Sequence, residues 1–326
     1  MTFSRLLSPV PTSRGRVPAD DLETQLINAP LADQMRRGAV FRCRGEAASG
    51  CGPEYQLRRR IMNDKSFATF IEGAGQARLA DQPLPKFAED ELPRGEAQGY
   101  AVQARLADWF KRHRQGDVSG YKIGATTRTM QQILGVDGPA YGHVMSASIY
   151  PSGARVSGKH VCRTGVECEL AIRLGKDVPP RKAPWVRDEI GEFIAAVTPA
   201  IEIVENRYGD FRSAGIGILV ADDFFHKAAV LGAPVNDWRG IDLIKINGSL
   251  SLNGTKVETG KGADVLGDPL EAIVWLATIF AKQDRVLRAN EVIFTGSMTP
   301  VHWVDEFPVR VEIEITDVGR CAAELA

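Results

Sequence analysis

Residues 164–172, with the sequence TGVECELAI, limit the fold of this chain more than any other stretch. Glu167 and Glu169 lie two positions apart within an otherwise apolar run. In a β-strand, positions i and i+2 point to the same face at a spacing of about 6–7 Å. Two ionised carboxylates in an apolar setting are unfavourable unless a positive group lies between them. The stretch therefore predicts either an edge strand with both glutamates in water, or a buried strand that binds a hard divalent cation through oxygen ligands.

The overall composition is that of an ordinary soluble protein. The 326 residues are 44% hydrophobic and 25% charged, and the net charge of −1 gives no bias toward nucleic acid or an anionic membrane as a partner. No apolar run approaches the roughly 20 residues of a membrane span. The five cysteines are scattered without a CxxC pair, which favours a reducing compartment and opposes a disulfide framework or a zinc site. We therefore expect a cytoplasmic protein.

The first 61 residues differ from the rest of the chain. They contain ten arginines and no lysine against six acidic residues, and their hydrophobic periodicity is poor. They lack the apolar segment of about 7–15 residues that marks a secretory signal. The acidic residues argue against an Arg-rich transit peptide. We interpret residues 1–61 as a low-order, Arg-rich extension outside the functional fold, with Met62 as the natural start.

Helical patterns follow in residues 62–117, which we interpret as a small helical N-terminal lobe. Apolar residues at helical spacing predict a first helix with a buried face formed by these residues: Phe67, Phe70, Ile71 and Ala74. A second helix is predicted over residues 96–113. Farther along the chain, outside the lobe, Asp268 and Pro269 suit the start of one more helix.

Strand signals dominate residues 118–326. Strands are predicted over residues 120–124, 198–204 and 309–316. Two Asn-Gly pairs, Asn247-Gly248 and Asn253-Gly254, predict hairpin-type turns. Short strands with few helices do not form regular βαβ units, so the pattern indicates an α+β fold with a strand-rich core.

Glu202 and Lys122 lie on two further apolar strands. Alternation places Glu202 on one face of its strand and Glu205 on the other, where we expect a solvated charge. Together with Glu167 and Glu169, Glu202 completes a set of three carboxylates that would leave about three positions open in an octahedral Mg²⁺ shell. Lys122 either extends to the surface or is buried against an anion, and a nearby acidic metal site favours burial.

Other polar positions allow two interpretations each. Residues 295–299, TGSMT, follow the predicted strand 292–294; their hydroxyls and N–H groups suit a bound carboxylate, or form a simple turn. The pair Asp222-Asp223 either supports the site from behind or caps the segment that follows. Some histidines lack the spacing of metal ligands and are not chosen as site residues: His143, His160, His226 and His302.

Taken together, and in this order, several motifs resemble the 2-keto-4-pentenoate hydratase / 4-oxalocrotonate decarboxylase family of the fumarylacetoacetate hydrolase superfamily. The resemblance covers roughly residues 63–326 and implies a mixed β-roll core that binds a divalent metal, usually Mg²⁺ or Mn²⁺. The motifs are GYKIGATT, MQQILGVDGPAYG, TGVECELA, PAIEIVENR, VADD, GADVLGDPLEAIVWLA and TGSMT.

By motif, the resemblance also assigns roles to individual residues. The metal-binding carboxylates fall on Glu167, Glu169 and Glu202, and the active-site lysine falls on Lys122. The substrate-binding loop falls on these residues: Thr295, Gly296 and Ser297.

The chain departs from the family pattern at two positions. Relatives often read Ala-Asp-Asn where this chain has Asp223 in third place, and many hydratases carry an acidic residue where this chain has Ala140. If that acid takes part in water addition, its absence leaves room for decarboxylation or another 2-oxo acid substrate.

We expect a lyase that adds water to a 2-hydroxy-2,4-dienoate, giving a 4-hydroxy-2-oxo acid, in the breakdown of aromatic-derived or related small acids. Lys122 would transfer a proton or pair with the enolate or carboxylate. The alternatives are a 2-oxo-3-enedioate decarboxylase, an acylpyruvate-type C–C hydrolase, a non-catalytic partner subunit and a protein with a purely structural Ca²⁺ site. The family implies a homo-oligomer, which could form a complex with a pathway paralogue.

Overall fold

The computed structural model describes residues 67–158 and 161–326. The predicted extension, residues 1–61, lies outside the described residues. The remainder is a mixed α and β structure with two curled sheets, which confirms the predicted α+β class with a strand-rich core. The boundaries proposed for the lobe and the extension stay predictions.

The three longest helices lie near the start of the described chain and at one position late in it, and shorter helices lie between them. No helix among the described residues is long and apolar enough to cross a bilayer. The helices are α1 (Ala68–Leu79), α2 (Gly95–Arg112), α3 (Arg128–Leu134), α4 (Arg187–Gly191), α5 (Phe211–Ala214), α6 (Ile216–Ala221) and α7 (Pro269–Lys282).

Thirteen strands are assigned in the described residues, and β5 and β6 are the longest. They are β1 (Val118–Gly124), β2 (Ala140–Met145), β3 (Ile149–Pro151), β4 (Ala154–Val156), β5 (Arg163–Leu174), β6 (Ile194–Asn206), β7 (His226–Leu231), β8 (Asn247–Leu252), β9 (Thr255–Lys261), β10 (Val292–Ser297), β11 (His302–Trp303), β12 (Val309–Ile315) and β13 (Gly319–Leu325).

Two sheets enclose the main hydrophobic core. The larger has the order β2-β1-β10-β5-β6-β7-β3, with β11 also paired to β5, and the smaller has the order β4-β13-β12-β8-β9. The pairs β1–β10 and β3–β7 are parallel and most others are antiparallel. One face of β5 and β6 packs toward the smaller sheet, where alternate apolar residues such as Val166, Leu170 and Ile203 are fully buried. The opposite face of the same two strands is therefore left for polar groups.

The helical lobe is formed as the apolar spacing predicts. The face of α1 marked by Phe70 and Ala74 is fully buried, and it packs against α2, whose Leu106 is also fully buried. In turn, α2 contacts α6 and β2. The lobe therefore lies against the chain segment that leads into β7. Farther along, the Asp268 side chain accepts a hydrogen bond from the N–H of Leu270, which confirms the predicted N-cap of α7.

One of the two predicted Asn-Gly turns is wrong. Asn253-Gly254 connects β8 and β9, with positive φ values of 48° and 80°. Asn247-Gly248 instead lies within β8. A Cβ at Gly248 would lie 2.8 Å from Cε of Met298, so glycine serves there to let a strand approach a packed side chain.

Candidate metal centre

The pairing of β5 with β6 brings the three predicted carboxylates together. Glu167 lies directly opposite Glu202, and Glu169 follows two positions along β5 on the same face. One oxygen from each of the three side chains lies within 4.8 Å of the other two. Glu169 and Glu202 are 1% and 0% exposed, and Glu167 is partly buried. The interpretation of this stretch as a solvated edge strand is therefore wrong.

Small side chains lie beside the carboxylates. Ala200 lies opposite Glu169 across the β5–β6 pair, and Ala229 on β7 lies opposite Glu202. Cross-strand partners share a face of the sheet, so both methyl groups lie next to the acidic cluster.

Lys122 is buried against this cluster. Its side chain is 5% exposed, and Nζ lies 3.3 Å from Oε2 of Glu202. The ring of Phe224 covers the ammonium group, with 5.5 Å between Nζ and the ring centroid. Of the two alternatives for Lys122, the structure shows burial against an anion and no extension to the surface.

The titration behaviour of the cluster follows from burial and mutual repulsion. Burial, together with the charge of Glu202, raises the pKa of Glu167 to about 8 and that of Glu169 well above its usual value. Burial also acts to raise the pKa of Glu202, but Lys122 and a hydrogen bond from His226 outweigh it and the pKa falls below its usual value. Burial acts to lower the pKa of Lys122, yet the three carboxylates raise it overall. An ionised Glu202 beside a protonated Lys122 is thus the stable arrangement.

The residues present fit a hard divalent cation. Oε2 of Glu202 is buried and makes no hydrogen bond among the described residues, and one lysine balances only one of three clustered carboxylates. The donor set consists of oxygen atoms alone, which suits ions such as Mg²⁺, Mn²⁺ or Ca²⁺. Such an ion would be held by Glu167, Glu169 and Glu202.

Gly296 orients one of these carboxylates. Its N–H donates to Oε2 of Glu169 at 3.1 Å. The residue has a φ of +107°, and a Cβ there would lie 2.5 Å from Cγ2 of Thr126. Both the backbone conformation and the close approach require glycine at this position.

The hydroxyl groups on either side of Gly296 already have partners. Thr295 Oγ1 donates to the carbonyl of Leu170 at 2.9 Å, and Ser297 Oγ donates to the carbonyl of Thr299 at 2.7 Å. The expectation that these residues follow the strand is wrong, because β10 continues through Ser297 with an irregular register after residue 294. The role of the three residues in substrate binding stays a prediction.

His226 contacts the acidic cluster, although the spacing of the histidines along the sequence did not indicate this. It is fully buried, and its Nδ1 lies 2.8 Å from Oε1 of Glu202. Its Nε2 lies 3.2 Å from Oγ of Ser148. The only sequence signal for it was a histidine placed in the apolar run before Val230.

A second charged cluster lies next to the first. Glu205 is 1% exposed and forms ion pairs with Lys227 and Arg207, so the expectation of a solvated charge is wrong. Asp222 accepts hydrogen bonds from Arg207 Nε and from the Tyr208 hydroxyl, both at 2.8 Å. These contacts bind the segments on either side of α5 and α6 to each other.

Asp223 connects the helical lobe to the sheet. Its Oδ2 lies 2.6 Å from Nη1 of Arg78 on α1, and its Oδ1 accepts from the N–H of His143 on β2 at 2.8 Å. The aspartate that departs from the family pattern therefore has a cationic partner from the lobe.

Comparison with known proteins places these residues in a family context. The family described as "Fumarylacetoacetate (FAA) hydrolase C-terminal" matches residues 134–326, which include the three clustered glutamates but not Lys122. The 2-keto-4-pentenoate hydratase of Paraburkholderia xenovorans is 34% identical over 207 residues, covering 64% of this chain and 76% of the relative. The 4-oxalocrotonate decarboxylase of Pseudomonas putida is 28% identical over 245 residues, covering 74% of this chain and 89% of the relative.

A solved structure shares the fold. It is that of 4-oxalocrotonate decarboxylase from Pseudomonas putida G7, complexed with magnesium and adipate. It aligns with a TM-score of 0.73 at 23% identity, covering 82% of this chain and 98% of that chain. The likeness confirms the predicted mixed core together with its helical lobe.

Proposed function

This chain belongs to the fumarylacetoacetate hydrolase family, and we propose that it is a divalent-metal-dependent lyase that adds water to a 2-hydroxy-2,4-dienoate. The product would be a 4-hydroxy-2-oxo acid. Relatives named as hydratases and as decarboxylases support the lyase class, since both activities are lyase reactions. The observation that carries the proposal is the buried set of three carboxylates beside Lys122.

The three carboxylates account for the metal requirement. Glu167, Glu169 and Glu202 would hold Mg²⁺ or Mn²⁺, and the ion would supply Lewis-acid chemistry at the 2-oxo acid end of the substrate. The N–H of Gly296 keeps Glu169 in place, so this carboxylate needs little rearrangement when the cation binds.

Lys122 supplies the mobile proton in this proposal. Its pKa is raised and it lies in a water-poor position under Phe224, so it is protonated and strongly attracts negative charge. We propose that Nζ stabilises the dienolate charge that forms when the 2-hydroxyl group of the substrate loses its proton, and that it donates a proton to carbon as the 2-oxo form is produced.

Decarboxylation of a 2-oxo-3-enedioate is the second candidate, for a specific reason. Ala140 occupies the position where many hydratases carry an acidic residue, and its side chain is 2% exposed, so it offers no carboxyl group to guide water. Decarboxylation needs the same stabilised negative charge but no added water.

One experiment separates these candidates. Purified protein is incubated with a panel of 2-hydroxydienoates and 2-oxo-enedioates in Mg²⁺ or Mn²⁺, while loss of dienoate absorbance and release of CO₂ are followed in parallel. Hydration predicts loss of absorbance without CO₂, whereas decarboxylation predicts stoichiometric CO₂. Turnover that persists in excess EDTA would contradict the metal-dependent proposal in either form.

Matched variants link the activity to the cluster. Glu169→Gln should abolish metal-dependent turnover while the protein stays folded, because it removes one oxygen ligand and its charge. Glu205→Gln is the control, since Glu205 is also a buried glutamate but pairs with Lys227 and Arg207 outside the cluster. Equal activity of Glu169→Gln and wild type would contradict the assignment.

We also propose that the protein forms a homo-oligomer in the cytoplasm, on the basis of family resemblance. Size-exclusion chromatography with light scattering measures the assembly. A protein that is inactive alone but required by an active paralogue would instead support the partner-subunit alternative.

A further inference from the structure

His226 has a fixed hydrogen-bonding pattern within the fold. Nδ1 of His226 lies 2.8 Å from Oε1 of Glu202, and a carboxylate that binds a cation is deprotonated and can only accept, so Nδ1 would donate to it. Nε2 lies 3.2 Å from Oγ of Ser148, whose hydroxyl donates to the carbonyl of Met145 at 2.8 Å. The imidazole is fully buried, and its shortest side-chain contact is the one with Glu202.

A β-bulge turns His226 toward the cluster. In the β6–β7 pair, Ile203 lies opposite Ala228, but Val204 lies opposite His226, so Lys227 is one extra residue on β7. If Lys227 paired regularly with Val204, His226 would lie opposite Glu205, on the face of the sheet away from Glu202. Because of the bulge, His226 shares the face of Val204 and Glu202, as expected of a bulge that redirects a side chain next to a functional site.

A strained turn delivers the chain to this bulge. Asp223, Phe224 and Phe225 have φ values of 53°, 51° and 69°, and none of them is glycine. Consecutive left-handed residues with side chains are unfavourable and persist only where surrounding contacts impose them. Here Arg78 and the N–H of His143 hold Asp223.

We propose that His226 is a positioning residue that fixes Glu202 as a one-oxygen ligand of the cation; this inference rests on the proposed function. With Oε1 held by His226, Oε2 is the oxygen that lacks a hydrogen bond and lies 3.3 Å from Lys122 Nζ. His226 therefore decides which oxygen faces the cation and which way the carboxylate plane lies. Groups that orient a metal-binding carboxylate in this way typically change affinity by about 10–100-fold when they are removed.

Metal binding itself provides the test. The dissociation constant for Mn²⁺ is measured on the full chain by the electron paramagnetic resonance signal of free Mn²⁺, without substrate. His226→Leu keeps a similar volume but has no donor, and we expect its Mn²⁺ affinity to fall by about 10–100-fold. His226→Asn places an amide N–H close to the position of Nδ1, and we expect it to keep most of the affinity.

His143→Leu is the matched control. His143 is also a buried histidine, on β2, but its ring lies beside Tyr121, Tyr141 and Asp223 and forms no ion pair with the three clustered glutamates among the described residues. We expect it to bind Mn²⁺ like wild type, even if its melting temperature falls as much as that of His226→Leu.

The possible results separate this inference from the proposed function. Wild-type affinity in His226→Leu overturns the positioning role and leaves the metal centre intact, whereas failure of the wild-type protein to bind Mn²⁺ overturns both. If His226→Leu does not fold, His226→Phe decides, because it keeps a ring of similar shape but has no N–H to donate to Glu202, and it should weaken Mn²⁺ binding in the same direction. Unchanged affinity in His226→Phe then overturns the proposal.

Discussion

Replacing Arg78 by methionine should lower the free energy of unfolding by about 3–5 kcal/mol, the range for removing one partner of a buried ion pair. Arg78 Nη1 lies 2.6 Å from Asp223 and 3.6 Å from Asp222, and the arginine side chain is 10% exposed against 0% for both aspartates. Methionine retains apolar contact with Phe110, over whose ring the guanidinium lies at 4.4 Å. Because Asp222 keeps its 2.8 Å contact with Arg207, the uncompensated charge falls on Asp223.

The double variant isolates the electrostatic part of this loss. Asp223→Asn removes the charge and keeps a carbonyl oxygen that can accept from the N–H of His143. Arg78→Met combined with Asp223→Asn should therefore be more stable than Arg78→Met alone. We expect a coupling energy of about 2 kcal/mol or more, within the range for residues in direct contact.

Urea unfolding followed by tryptophan fluorescence and far-UV circular dichroism measures these free energies. Arg94→Met is the control in the same lobe, because Arg94 lies 3.9 Å from Glu89 and both side chains are mostly exposed. Its loss should stay below about 1 kcal/mol, as for surface ion pairs. If Arg78→Met costs no more than this control, the pair does not hold the lobe against the turn before β7, and the reasoning is refuted.

Three further predictions test the site and the core around it. Lys122→Met should abolish turnover and also destabilise the metal-free protein, because Glu202 loses the cation 3.3 Å from Oε2; unchanged urea stability would contradict this. Gly296→Ala should weaken Mn²⁺ binding and lower the melting temperature, since its Cβ would lie 2.5 Å from Thr126 at a φ of +107°; a wild-type Mn²⁺ titration would contradict this. Burial lowers the pKa of His143 from 6.5 to about 4, so His143 is protonated at higher pH in the unfolded chain than in the folded one. The free energy of unfolding therefore falls as pH is lowered from about 6.5 to 4. Between pH 7 and pH 5, urea titrations should show a fall that is about 2 kcal/mol smaller in His143→Gln than in wild type.

The location of the acidic cluster could be predicted because its signals are local. Alternation with a period of two places Glu167 and Glu169 on one face of any regular strand, and it separates Glu202 from Glu205 by the same rule. The apolar neighbours in both strands indicated burial. These properties depend on the chain only within a few residues of each glutamate.

The environment of each charged side chain could not be predicted where it depends on a segment distant in the sequence. Glu205 was expected in water because the sequence does not show that Arg207 and Lys227 enclose it. The same limit applies to Lys122, whose burial follows from the strand order that brings β1, β10, β5 and β6 side by side.

The sequence by itself determined that this chain has a strand-rich fold, with Glu167 and Glu169 on one face of an apolar strand and Glu202 on a second apolar strand. Only the tertiary structure decided that Glu167 lies opposite Glu202, that Lys122 balances one of the charges, and that His226 holds Glu202. The physical reason is that the face of a side chain follows from local backbone geometry, whereas register, bulges and strained turns depend on contacts between distant segments. His226 shows this most clearly, because one extra residue in β7 reverses the face that regular alternation would assign to it.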